Sequence, residues 1–209
     1  MLSRYNRIAG QNLERLAALS DGVFAVAMTL LVLDLRTPAA EAIHSEHDLL
    51  VALSGLLPRL ATYFMSFLTL GIFWLGQQVQ LDRLARSDRD LAWLHLAFLC
   101  AVTLVPFSTA LLAEHIVSRV ALVVYWGNIL VLGALLYWTW GRAVNARLLS
   151  EDTQPEVVAA ICRRILIAQS LYAFGAALCV FSTYWSITFI ALVQLNYALA
   201  LSDRFFSRG

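Results

Sequence analysis

Lysine is absent from the 209 residues: arginine alone supplies the 15 basic side chains, against 14 acidic ones, and charged residues make up only 14% of the chain. An ordinary soluble domain carries about 25%, so this shortage argues against an aqueous fold. Cysteine is scarce too. Cys100, Cys162 and Cys179 lie in or beside apolar runs, with no CxxC pair and no Cys/His cluster, so neither a disulfide framework nor a structural metal site is indicated. A net charge of +1 gives no argument for a nucleic-acid partner. What is abundant is apolar surface, 60% of residues with a mean hydropathy of +0.72. A spanning helix uses about 20 residues, so six take roughly 120 and leave room only for connections and tails. Residues 1–209 therefore read as one all-α, polytopic membrane domain in contact with lipid.

Hydropathy windows of about 19 residues put the six spans near 15–36, 56–79, 91–113, 119–141, 159–181 and 184–203. The first is long, carries an aspartate and lacks a small-residue cleavage pattern, so it reads as a retained span rather than a signal peptide. Pro58 near the start of the second span costs little there. The preceding stretch, Ser45 to Leu57, reads as a short interfacial helix, and a tight hairpin around Ser182 to Tyr184 joins the last two spans. Pro106, in mid-span, reads as a kink whose freed carbonyl Thr103 or a neighbouring helix re-satisfies.

Arginines divide unevenly between the two sides. Arg4, Arg7, Arg15, Arg83, Arg86, Arg89, Arg142, Arg147, Arg163, Arg164, Arg204 and Arg208 fall on one face; only Arg36, Arg59 and Arg119 fall on the other, beside Asp34, Glu41, Glu46, Asp48 and Glu114. The positive-inside rule then puts both termini in the cytoplasm of a chain embedded in a cell inner membrane or plasma membrane. The alternating charges between Asp82 and Asp90 read as a solvated turn that neutralises itself.

Polar residues inside spans are expensive in hydrocarbon and are the default functional candidates. Projected at about 100° per residue with Leu30 as origin, Leu19, Val23, Val26, Leu33, Asp34 and Thr37 fall within about 60°, while Asp21 falls at about 180°. One stripe of the first span is thus aliphatic and ends in an acid; the opposite side carries a carboxylate that must face protein. Partners for Asp21 and Arg15 are sought among Gln77, Gln78, Asn128 and His95. Asp21 reads either as a helix-packing residue or as part of a permeation path. The aliphatic stripe reads either as a lipid-facing or packing face, or as a constriction in which rings of Val26, Leu30 and Leu33 from symmetry-related copies exclude water. Thr29 either bonds back to its own helix or turns its hydroxyl toward an ion.

From Arg15 the first span continues, after three residues, as Leu19-Ser20-Asp21-Gly22, then an aliphatic run to Asp34-Leu35. This resembles the first-helix signature of the transmembrane protein 175 family, the endosomal and lysosomal potassium channels and their prokaryotic relatives. Leu19 stands where phenylalanine is usual. Phe73-Trp74 followed by Gln77 is similar to the family's second-helix Phe-Trp-x-x-His, with glutamine replacing histidine, and Val105-Pro106-Phe107 to its third-helix Leu-Pro-Phe. The resemblance implies a single-repeat, bacterial-type homotetramer with six helices per subunit and a central pore lined by the first helix. It assigns Val26, Leu30 and Leu33 to a hydrophobic constriction and Thr29 to ion preference. Arg15, Ser20 and Asp21, with Gln77, are assigned to a network that holds the pore helix.

No Thr-Val-Gly-Tyr-Gly loop is present, so selectivity by a carbonyl filter is excluded. The expectation is passive conduction of potassium and other monovalent cations without a cofactor or bound metal, with Asp34 at the outer mouth concentrating cations. Valine at position 26 is shorter than the isoleucine common in relatives, which points to a wider neck. The rival reading is a secondary transporter coupling proton or sodium movement through Asp21, a class that usually shows broken helices and inverted repeats. An enzyme is disfavoured: adjacent Ser20 and Asp21 diverge on a helix, and Glu114-His115 lacks the second histidine of a metalloprotease helix. His44 and His47 read as loop residues, and His95 as a packing histidine.

Overall fold

The structure, a computed structural model, describes residues 12–40 and 43–206, with side chains to residue 199. Arg4, Arg7, Glu41 and Arg208, counted above for orientation, lie outside the described residues, as does the side chain of Arg204. Eight α-helices make up the described fold: α1 Leu13–Leu30, α2 Glu46–Gly55, α3 Leu57–Leu81, α4 Arg89–Thr103, α5 Val105–Glu114, α6 Arg119–Asn145, α7 Pro155–Ala177 and α8 Thr183–Phe206. The only β pairing among the described residues is an isolated bridge between Leu84 and Leu149, in the connections that follow α3 and α6.

Among the described residues, five segments are long and apolar enough to cross a bilayer: Leu13–Asp34, Leu57–Leu81, Arg89–Glu114, Arg119–Asn145 and Pro155–Val180. The sixth expected span corresponds to α8, whose last residues have no described side chains. The short helix foreseen before Pro58 is α2; Ser45 caps it by accepting from the Asp48 N–H at 3.1 Å, and it buries no residue.

Local chemistry sets the ends of the helices. Asn12 caps α1 and Asp88 caps α4, its Oδ1 accepting from the Leu91 N–H at 2.8 Å. Prolines open α3, α5 and α7 within their first turn, where the missing N–H is not needed. Pro106 therefore does more than bend the third span: the helix stops at Thr103, and a new one starts at Val105. The Thr103 hydroxyl donates to the Cys100 carbonyl at 2.7 Å, and the Leu104 N–H closes the end of α4.

Within the bundle α1 packs on α3 and α4, α6 packs on α4, α5 and α7, and α8 closes against α7 and α3. Lipid tails are as apolar as leucine, so close packing and hydrogen bonds, not water exclusion, hold such helices together. Phe24 of α1 meets Phe98 of α4 at 6.0 Å between ring centroids, and Phe73 of α3 meets the same ring at 6.3 Å. Deeper in, a hydroxyl ladder ties four helices. Thr109 donates to Ser66 at 2.7 Å, Ser66 and Thr69 lie 3.3 and 3.1 Å from the Tyr125 hydroxyl, and Gln194 donates to Thr69 at 2.6 Å.

The connection from Asp82 to Asp90 is not self-neutralising. Arg142, in the last turn of α6, bridges Asp88 and Asp90, and the Ser150 N–H donates to the Arg83 carbonyl, so this turn is clamped to the α6–α7 connection.

Candidate functional site

α1 presents two unlike faces because its sequence alternates small and bulky residues at helical spacing. Ser20, Phe24, Ala27 and Leu31 form one stripe, each no more than 2% exposed, against the body of the protomer. On the other side Val26 is 58%, Leu30 44% and Leu33 69% exposed. The division read from the helical projection is present in part: the Val/Leu stripe is uncovered as expected, but Asp21, expected to face protein, is itself exposed and touches the protein only at the rim of α3.

The last turn departs from the projection. Leu31–Asp34 is a 3-10 helix, which advances about 120° per residue instead of about 100°. Three such steps bring Leu33 back in line with Leu30, whereas a fourth carries Asp34 off the stripe toward α3. There Arg59 donates from Nη1 to the Asp34 carbonyl at 3.2 Å and lies 3.8 Å from its carboxylate. Asp34 is half-buried, and part of the charge expected at the mouth is offset by an arginine that the sequence reading had counted only for orientation.

Thr29 is exposed beside the stripe, and its hydroxyl donates to the Val26 carbonyl at 2.8 Å. That back-bond consumes the hydroxyl hydrogen and leaves the oxygen lone pairs directed outward.

Two polar clusters fasten α1 to its neighbours. In the first, fully inside the protein, Ser20 Oγ accepts from Gln77 Nε2 at 2.8 Å and shares a 2.8 Å hydrogen bond with His95 Nε2; Gln77 Nε2 is also 3.1 Å from His95 Nε2. A serine hydroxyl can accept and donate at once, so it bridges a glutamine from α3 and a histidine from α4. In the second, Asp21 Oδ1 accepts from Trp74 Nε1 and from Gln78 Nε2, both at 2.8 Å.

Of the residues named from sequence, Gln77, Gln78 and His95 thus meet the Ser20–Asp21 pair. Asn128 does not; it donates to Ser108 at 3.2 Å elsewhere in the bundle. Arg15 is exposed, and among the described residues its side chain joins neither cluster, only its backbone N–H bonding to Asn12. Trp74 was missed as a partner because an indole in a membrane sequence reads first as an interfacial anchor. The signal was its place three and four residues before Gln77 and Gln78, on adjoining turns of one helix.

A family model described as endosomal/lysosomal potassium channel TMEM175 matches residues 15–106. A potassium channel of Chamaesiphon minutus is 32% identical over 189 residues, which are 88% of this chain and 93% of the relative. A potassium channel of a Chryseobacterium species is 28% identical over 185 residues, 88% and 92% of the two chains. The human endosomal/lysosomal proton channel TMEM175 is 32% identical over 100 residues, only 20% of its length. The crystal structure of a lysosomal potassium-selective channel TMEM175 homolog from Chamaesiphon minutus superposes with a TM-score of 0.79 at 30% identity, covering 90% of this chain and 97% of that one.

Proposed function

The chain belongs to the TMEM175 family of membrane channels, and from that premise we propose that it conducts potassium passively through a central pore bounded by α1 from four identical six-helix subunits. The supporting observation is the stripe of Val26, Leu30 and Leu33, left 44–69% exposed on a membrane-spanning helix anchored by the adjoining buried stripe of Ser20, Phe24, Ala27 and Leu31. Around a symmetry axis those side chains form successive aliphatic rings, and a dewetted neck of this kind stops ions without any moving plug.

Thr29 sits one residue before Leu30 with its hydroxyl hydrogen already spent on the Val26 carbonyl. Its oxygen therefore meets an approaching cation as an acceptor, which suits a partly dehydrated potassium ion. Asp34, restrained by Arg59, contributes a weakened negative field at the outer mouth. The Ser20 and Asp21 clusters set the rotation of α1 about its own axis, and so decide which face reaches the pore. Asp21 already accepts two hydrogen bonds, a role in holding the helix rather than in carrying a coupled ion. The arginine distribution orients both termini toward the cytoplasm of the enclosing membrane.

Reversal potentials of purified protein in planar bilayers test this reading, together with subunit count in detergent. Unitary current steps that reverse nearer the potassium than the sodium equilibrium potential, from a four-subunit particle, are expected. Saturable uptake with a fixed proton or sodium stoichiometry would overturn it in favour of a transporter.

A further inference from the structure

Away from α1, a cavity of about 500 Å³ lies between α3, α6, α7 and α8, within the roughly 300–1,000 Å³ of small-molecule sites. Its walls are mostly apolar, and its rim carries Val79 and Ile167, both exposed. Two features mark it as more than loose packing. The first is Arg163 and Arg164. They fall inside the expected span 159–181, and with α7 beginning at Pro155 they stand within the spanning segment, about 12 Å along the helix from its start. Both are exposed and line the cavity, and no carboxylate among the described residues pairs with either; Arg164 meets only the ring of Tyr197, at 5.8 Å. An arginine within a span is costly without an anionic partner.

The second feature is a pair of orphaned amide oxygens. Gln80 and Gln169 each donate from Nε2 to an α6 carbonyl, of Leu136 and Ile129, at 3.2 and 3.4 Å, while Oε1 of each has no partner. Trp140 of α6 reaches the Val158 carbonyl and Gln169 reaches that of Ile129, so Leu136, and Gln80 with it, falls between those levels, beside the two arginines. The cavity thus offers two cations at its surface, with two buried amide oxygens closed off behind its wall and no acid among the described lining residues.

We infer that this cavity is a docking site for an anionic phospholipid. The phosphate lies against Arg163 and Arg164, and an acyl chain runs along the apolar wall. The bilayer supplies that ligand at the depth where the arginines end, since long cationic side chains extend toward the headgroups. Basic pockets between spanning helices suit acidic headgroups for the same reason. The inference does not depend on which face of α1 borders the pore.

Native mass spectrometry of protein released from equimolar phosphatidylglycerol and phosphatidylcholine tests it. Wild-type protein is expected to retain phosphatidylglycerol in preference by about thirtyfold, in line with two arginines at a lipid surface. Arg163→Gln with Arg164→Gln is expected to lose the preference, whereas Arg83→Gln with Arg86→Gln keeps it. Ala168→Trp, which fills the cavity and spares both arginines, is expected to lose bound lipid with its size-exclusion profile unchanged. Equal retention of the two lipids by wild-type protein overturns the inference. So does an undiminished preference in the Arg163/Arg164 variant, or efficient disulfide cross-linking between copies through Ile161→Cys, which would make the groove a contact between subunits.

Discussion

Ser20 is the smallest side chain in the α1 clusters and the one with the most depending on it. It is fully buried and joins Gln77 to His95, so Ser20→Ala removes the shared partner of two buried polar groups from other helices. Interhelical hydrogen bonds in membranes contribute about 1 kcal/mol, and stranded buried donors or acceptors add to the loss. A stability loss of about 1–2 kcal/mol, read as a lower midpoint of thermal unfolding in detergent, is expected; a midpoint equal to wild type would show that the cluster does not hold α1. The sequence made much of this legible, because Ser20, Gln77 and His95 are polar at depths where polar groups need each other. The pairing of Asp34 with Arg59 was not legible, since it depends on a local change of helix type. Asp34→Asn is accordingly expected to lower single-channel conductance only modestly at low salt, and Arg59→Gln to raise it. Both effects should fade as ionic strength rises, and a salt-independent change would point to a structural cause.

Among the elements, α1 shows both the reach and the limit of periodicity. A projection at about 100° per residue set the Val/Leu stripe apart from Asp21 because Leu13–Leu30 is a regular α-helix, but it did not single out Ser20, Phe24 and Ala27, the stripe between them that is buried. It failed four residues later, where the 3-10 turn rotates Asp34 away. Proline behaved as its chemistry requires, opening helices, and Pro155 starts α7 four residues before the 159 given by hydropathy windows; the windows include Arg163 and Arg164 because they average over charges that a helix tolerates when they face outward. The α6–α7 contact holds a further constraint. A Cβ on Gly133 would stand 1.9 Å from Gln169 Nε2, so Gly133→Ala must push that amide off the Ile129 carbonyl. A loss of about 1 kcal/mol is expected in the same unfolding measurement, whereas in a Gln169→Ala background, where the bond is already gone and the space is open, Gly133→Ala is expected to cost little more. A full further loss in that background would mean that another neighbour, not Gln169, needs the space.

At the scale of the whole molecule, the protomer has an uncovered aliphatic stripe on α1 and, on the side formed by α7 and α8, an arginine-rimmed cavity. The all-helical membrane fold was readable from composition alone, because 14% charge and 60% apolar residues leave few other outcomes for a chain of this length. Assembly was not: nothing in the spacing of one chain states how many copies surround an axis, and four-fold symmetry entered through family resemblance. The proposal that the stripe faces that axis makes Leu30 the most informative single position. Potassium flux from proteoliposomes containing Leu30→Asn tests it most directly, since a polar ring wets a neck that leucine keeps dry. A flux several-fold above wild type at equal protein density, with the assembly intact on size exclusion, is expected. Unchanged flux from an intact assembly would contradict a pore bounded by the Val/Leu face of α1.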